Sequence, residues 1–423
     1  MKRKNASITA FFIGVTTILG AVDIPNDTYV SVSEYLDRVY GIDANQGLTS
    51  LPVLDIPMGG RSEGMGTAFA AVADDISFIE WNPAGSSMLK DTELAFFHNN
   101  WIADTKIEGA VYGTRFGDLG IAAGGKWLYL PFTEYNDYGD RASKGFYSES
   151  VAILNASYNF LSGYYFSGIS VGANLKGAFR FVPNYSDDEG NIISGSGASQ
   201  SAFAPMLDLG ALTRFNLLKF YYSRERNASV ALVLRNAGPA VQEDPLPSVL
   251  TMALAYKPLR PLLFSFDYSL PMNFKTPAES EKPYFALGFS TEVTRFLSMR
   301  TGALVKPGSF RFSLGSAIAL NGIDLDINYT LDMLTQLQVL NRVSLAARFN
   351  LGDRGRAALV SKVDDLYLRG LEEYARGEME SALRLWDEAL KLNPKFDPAR
   401  EGRTAILEAN RLVDRIDEIQ QLE

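Results

Sequence analysis

From residue 91 to residue 352 the chain alternates apolar and polar side chains with a period of two, in one segment after another. Ile323, Leu325, Ile327, Tyr329 and Leu331 alternate with Asp324, Asp326, Asn328, Thr330 and Asp332. Phe310, Phe312, Leu314, Ile318 and Leu320 alternate with Arg311, Ser313, Gly315, Ala317 and Ala319. A period of two is that of a β-strand with unlike faces. About fourteen such segments of roughly ten residues lie near 92–101, 106–116, 119–130, 148–160, 166–182, 202–216, 227–237, 248–257, 262–270, 283–293, 296–306, 309–320, 323–332 and 341–350. Ten residues rise about 33 Å, and a tilt of about 40° brings that near the ~25 Å apolar band of an outer-membrane barrel.

Alternation also fits a soluble sandwich with one dry face and one wet face. Two observations favour a barrel. Ionised residues recur on the polar face, among them Lys176, Arg180, Asp208, Asp267, Arg300 and Arg348, as a hydrated lumen permits. The connections also alternate between short turns and longer loops, as in an outer-membrane barrel. An even strand count closes the sheet and removes edges that lipid would not tolerate. The fold class expected is an all-β transmembrane β-barrel of about fourteen antiparallel strands, with an N-terminal plug or hatch and a small all-α C-terminal domain.

Outside the strands the pattern divides the chain further. Met1-Lys2-Arg3-Lys4 and the apolar run Ile8 to Val22 read as a secretory signal, residues 1–22, with cleavage expected near Gly20 or Ala21; an uncleaved anchor is the alternative. Residues 23–90 form an extension and hatch, with a short amphipathic helix expected over Tyr29 to Tyr40. No later stretch approaches the ~18–20 apolar residues of a spanning helix. Residues 91–352 make the barrel and residues 353–423 a helical domain placed, by this topology, in the periplasm.

Composition narrows the function. The 26 Phe, 20 Tyr and 36 Gly of the 423 residues suit tightly paired strands with aromatic girdles better than a helical enzyme core. With no Cys and a single His, thiolate and multi-histidine metal sites and cysteine nucleophiles are excluded. His98 ends an aromatic strand and is read as an interfacial or packing residue. A net charge of −9 without a basic stripe argues against nucleic acid. No enzyme, cofactor or metal is expected.

In the tail, Gly370, Tyr374, Gly377, Ala382, Ala389 and Pro394 stand at tetratricopeptide-repeat spacing, and this stretch resembles that family. Small residues let two antiparallel helices approach, Gly377 turns the chain and Pro394 stops the second helix. A third helix, Ala399 to Gln420, is expected to cap the pair. The two readings are a stability cap and a docking module for a periplasmic protein or peptide.

The richest motif runs from Gly59-Gly60-Arg61 through Gly64-Met65-Gly66 to Ala73-Asp74-Asp75, and on to Trp81-Asn82-Pro83-Ala84-Gly85. Gly59, Gly64 and Gly66 permit close backbone approach, and Asn82-Pro83 forces a bend. An apolar, kinked segment just before the first strand is suited to folding back into the lumen. Its glycine spacing does not match a phosphate-binding loop. The run resembles the FadL-like superfamily of outer-membrane proteins, and more narrowly the FadL-related family of treponemes. The resemblance implies a hatch that plugs the lumen, with Asn82, Pro83, Ala84 and Gly85 at its kink. It further implies a pocket for a hydrophobic ligand beside the hatch and a lateral opening in the wall. PorV-type secretion partners share the signature, so it bears on fold more than on cargo.

The function expected is uptake of long-chain fatty acids or similar hydrophobic molecules across the outer membrane. The alternatives are a PorV-like scaffold without small-molecule transport and a generic diffusion pore. Lys126, Lys176, Arg180, Arg300 and Arg348 are head-group candidates by phase alone. A long loop over 131–147, with Phe132, Tyr135, Tyr138 and Phe146, is a candidate outer capture surface. Membrane lipid and a hydrophobic small molecule are the partners expected of the barrel.

Overall fold

The computed structural model describes residues 41–420 apart from 42, 103, 136–137, 188–190 and 335–339; the expected signal peptide and the helix over Tyr29 to Tyr40 lie outside the described residues. Fourteen antiparallel strands close into a single barrel. They are β1 Glu93–Asn100, β2 Lys106–Phe116, β3 Leu119–Tyr135, β4 Arg141–Phe160 and β5 Ile169–Phe181. Then come β6 Ala202–Phe215, β7 Ala228–Ala237, β8 Ser248–Tyr256, β9 Leu262–Met272 and β10 Tyr284–Glu292. β11 Leu297–Lys306, β12 Ser309–Leu320, β13 Ile323–Leu334 and β14 Leu340–Asn350 complete the wall. β1 closes on β14 with Phe97 opposite Ala346 and Leu94 opposite Phe349.

Burial along the strands decides between barrel and sandwich. The exposed positions are the apolar ones: Leu154 is 61% and Leu175 62% exposed. The buried positions are polar, including Asn155, Asn174, Lys176, Asp208 and Asp326. A sandwich would bury the opposite set. A sheet that is apolar outside and polar inside is stable only with lipid around it. Two outward aromatic bands mark the limits of the apolar belt: Trp127, Phe146, Phe179 and Phe203 toward one end, Phe116, Tyr158 and Phe160 toward the other. Ser150, which stands opposite Trp127, and Tyr158 are eight residues apart on β4, or about 26 Å along the strand. No helix among the described residues is long and apolar enough to cross a membrane.

The expected and observed strands differ most at β3 and β4. The loop expected over 131–147 is mostly a continuation of these two strands, paired from Leu130–Tyr147 out to Tyr135–Arg141. Phe132, Tyr135 and Phe146 therefore lie on a hairpin arm, and only Tyr138 lies in the turn. Pro131 and Gly145 lie within the paired stretch, although neither residue type favours a strand interior. The pairing of neighbouring strands overrides that local signal.

Both ends of the barrel domain lie at the rim that carries the turns 117–118 and 321–322. From this short-turn rim the chain enters three helices, α1 Arg356–Ala375, α2 Met379–Leu392 and α3 Asp397–Gln420. Trp386 of α2 is their centre. A Cβ on Gly370 would stand 2.3 Å from its indole nitrogen, and Gly402 faces the other edge of the ring. Ala382, Ala389 and Ile406 are buried around it, Tyr374 stacks at 5.9 Å, and Gly377 makes the α1–α2 turn with φ of 87°. Pro394 follows the end of α2. The helices rest on the short-turn rim: Lys395 pairs with Asp118, Arg224 with Asp364 at 2.5 Å, and the rings of Tyr164 and Phe396 meet edge-on at 5.2 Å.

Candidate functional site: the hatch and the cavity above it

Residues 51–89 fold into the lumen as short turns rather than as one regular element: a helical turn at Arg61–Gly64, another at Phe78–Trp81 and a 3₁₀ segment at Pro83–Met88. Such a segment leaves many backbone groups without an internal partner, and where it is buried each must be satisfied. The wall supplies the partners. Asp267 accepts from the amides of Phe69 and Ala70 at 3.0 Å each, and Glu93 from that of Ile76 at 2.8 Å. Asn174 donates to Ile79 O, Asn155 to Pro83 O and Asn328 to Gly60 O, each at 2.9 Å. Ser229 donates to Ala71 O at 2.6 Å.

Ion pairs add to these bonds. Arg342 donates from Nε to Glu63 at 2.7 Å, with both groups buried. Lys126 reaches Glu80 at 2.6 Å and Ile56 O at 2.7 Å. Asp75 lies 2.7 Å from Arg348 and 3.2 Å from Arg61. Burial alone would push the Asp75 carboxyl up, but Arg348 and Arg61 together hold it below the ordinary carboxylate value.

The glycines and the kink set how closely hatch and wall meet. Gly66 has φ of 61°, and a Cβ there would stand 2.5 Å from Ala303 N and 2.6 Å from Gly302 C. Gly64 similarly faces Asn328 and Gly315, while Gly59, with φ of 121°, faces Ser344. At the kink Asn82 is fully buried: it donates to Ala70 O at 2.7 Å and accepts from Ala84 N at 3.0 Å. Pro83 lies over Gly172 and Gly210 and begins the 3₁₀ segment that Ala84 and Gly85 continue.

Above the hatch, toward the long-loop end, is a cavity of about 140 Å³. Trp81 forms part of its lining, with Arg235, Asp267, Thr251, Lys306 and Arg311 around it. Arg235 lies over the Trp81 ring at 4.7 Å and makes a long 3.4 Å bond to Glu80 O. Lys306 is held by Glu281 at 2.8 Å and Arg311 by Asp332 at 2.8 Å. Arg235 has no ion-pair partner among the described residues. The Trp81 indole N–H and Asp267 Oδ1 are buried without a hydrogen-bond partner. The cavity thus presents an aromatic face, a cation beyond ion-pair distance of the two carboxylates that also line it, Asp55 and Asp267, and an unused donor and acceptor.

The five cations named from phase all stand on the lumen side but do different work. Lys126 holds the hatch, and Lys176 pairs with Asp208 at 2.5 Å. Arg300 pairs with Asp326, and Arg348 with Asp75 and Asp324. Arg180 bridges Ser50, Gln200 O and Gln242 at the long-loop rim. Arg235 was overlooked, because alternation shows that a cation faces inward but not whether an acid meets it. His98 faces outward and pairs with Glu108 at 2.8 Å beside an apolar hollow of the outer wall. No group of three or more metal-ligating side chains occurs among the described residues.

A model of an uncharacterised protein family, UPF0164, matches residues 41–354. The chain belongs to this family. The match ends just before α1, so the helices lie outside it. A UPF0164 protein of Treponema pallidum (strain Nichols) is 32% identical over 367 residues, covering 82% of this chain and 80% of the relative. A second from the same strain is 28% identical over 382 residues, covering 85% and 76%. Among solved structures, the Pseudomonas putida toluene transporter TodX aligns with a TM-score of 0.45 and 12% identity over 68% of this chain and 95% of TodX. The KdgM porin aligns with a TM-score of 0.30 and 9% identity over 61% of this chain and 99% of that one.

Proposed function

We propose that this UPF0164 protein is an outer-membrane channel that takes up hydrophobic molecules by displacement of the hatch, with the helical module facing the periplasm. The observation that carries the reading is the position of the Arg235–Trp81 stack. It borders the cavity above the hatch and stands one residue before the Asn82-Pro83 kink. A ligand that draws Arg235 from Trp81 acts directly on the segment that bends the hatch. A long acyl chain gains about 0.8 kcal/mol per buried CH₂. At 140 Å³ the cavity is below the ~300–1,000 Å³ of ordinary ligand pockets. A fatty acid or comparable amphiphile therefore enters only as the hatch yields, which couples binding to opening.

The test is binding of a fluorescent long-chain fatty acid to the full chain in detergent, with displacement by unlabelled fatty acid. Saturable binding is expected, weakened about tenfold by Arg235→Gln, the size of one charge-assisted contact of ~1.4 kcal/mol. No binding, in a barrel shown to be folded by heat-modifiable migration, would sink this reading. Weight would then move to a PorV-like scaffold. One observation favours that second reading: Leu412, Val413 and Ile416 lie exposed on the distal part of α3, as a face for a protein or peptide partner would be.

A further inference from the structure

Below the hatch, at the short-turn rim, lies a second cavity of about 320 Å³. One side is cationic, with Arg115 from β2, Arg214 from β6 and Lys257 just after β8, joined by Lys90, Arg224 and Arg226. Its two carboxylates are already engaged: Asp74 by Arg61 at 2.6 Å, and Glu225 by Lys90. Arg224 is taken by Asp364, and Arg226 by the carbonyls of Tyr164 and Tyr165. Arg115 and Arg214 each give one N–H to a hatch carbonyl, of Ser87 at 3.1 Å and Val72 at 3.0 Å. Neither has an ion-pair partner among the described residues, nor has Lys257, and Arg115 Nε is buried with no hydrogen-bond partner. Six cations line this cavity against two carboxylates. Although Asp74 also acts on Arg214 and Lys257, and Asp118 on Arg115, from beyond ion-pair distance, the cationic excess repels itself unless an anion joins it. The other side is apolar, with Val72, Ala255 and Leu263.

We propose that this vestibule is an anion site for the carboxylate head of an amphiphile, with Arg115, Arg214 and Lys257 on the head and Val72, Ala255 and Leu263 on the start of its chain. Its volume falls within the range of ligand pockets. It lies on the opposite side of the hatch from Arg235. An acid released from the upper cavity meets a second set of cations before it leaves the barrel. The proposal deepens the uptake reading and rests on it for the source of the acid, although the site itself is tested separately.

The experiment is ligand-observed NMR on the full chain in zwitterionic nanodiscs, with hexanoate, hexanol and inorganic phosphate as probes and empty discs as the control. Hexanoate is expected to bind at least tenfold more tightly than hexanol. Lys257→Gln removes a side chain that bonds to no described group, so it leaves the fold intact. It should weaken hexanoate about fivefold, as loss of one partly screened charge does. Arg214→Gln should weaken it at least as much. Equal hexanoate binding by both variants and the natural chain would overturn the site. Phosphate binding without hexanoate binding would also overturn it, in favour of a free-phosphate site. Should hexanoate binding follow Lys257 while the long-chain probe never binds, the vestibule stands and the uptake reading falls.

Discussion

In the wall, each strand's backbone groups meet those of two neighbours; in the hatch, many of them meet side chains that the wall extends inward. The backbone pairing of the wall is thus complete without the hatch. The hatch is not complete without the wall: its turns at Arg61–Gly64 and Phe78–Trp81 are single turns, too short to be stable alone. Asp267, Asn174, Asn155 and Asn328 end on its backbone. One chain thus builds a barrel on backbone pairing around a segment held by side chains of the wall.

This difference is tested most severely at Gly66. Its positive φ and its 2.5 Å approach to the β11 backbone leave no room for a side chain. In Gly66→Val the left-handed backbone costs about 1–3 kcal/mol and the overlap about 1–3 kcal/mol more. All of this cost falls on hatch seating and none on strand pairing. The expected result is a barrel with normal heat-modifiable migration but a raised conductance in planar bilayers. A closed barrel would show that seating does not depend on this contact. A barrel that fails to fold would show that wall and hatch are not separable.

A smaller effect is expected at Glu63, where Glu63→Ala leaves Arg342 buried without its nearer acid. Breaking a buried pair costs about 3–5 kcal/mol. The lower end, about 3 kcal/mol, applies here because Asp332 remains 3.5 Å from Arg342. Hydrogen exchange in residues 59–70 should speed up while that of β13 and β14 stays unchanged. Equal acceleration of both would mean that the hatch shares its stability with the wall.

The same contrast governs what the residues reveal without a structure. The wall was legible because a period of two repeats in every strand, and burial follows it with the polar face inside. β3 and β4 run beyond the expected 119–130 and 148–160, because their pairing continues from Leu130–Tyr147 out to Tyr135–Arg141 and only the structure shows those partners. In the hatch the glycines and Asn82-Pro83 announced close approach and a bend. The other half of each contact, Gly302, Gly315, Gly172 and Gly210, sits in strands where a glycine looks only like a weak position. The free cation of the upper cavity was hidden for a related reason. Arg235, Lys126 and Arg300 have the same phase, and only the fold shows which of them finds an acid.

The mildest expected effect concerns acid. Asp75 ties the hatch to Arg348 of β14 near the short-turn rim, and its folded carboxyl titrates below the unfolded value of about 3.9. A carboxyl lowered in this way contributes its full stabilisation above about pH 4 and loses it as pH falls through the depressed value. The part of the planar-bilayer conductance that depends on Asp75 should therefore be flat from pH 7 to about pH 4 and rise only below that. Asp75→Asn, which cannot ionise, should show part of the acid-induced conductance already at pH 7 and little further rise. Strand pairing in the wall gives no such response, because its backbone ladder has no titrating group. A conductance that rises smoothly from pH 7 in both proteins would place the sensitive group outside this pair. The hatch would then not be held by the charges that tie it to β14.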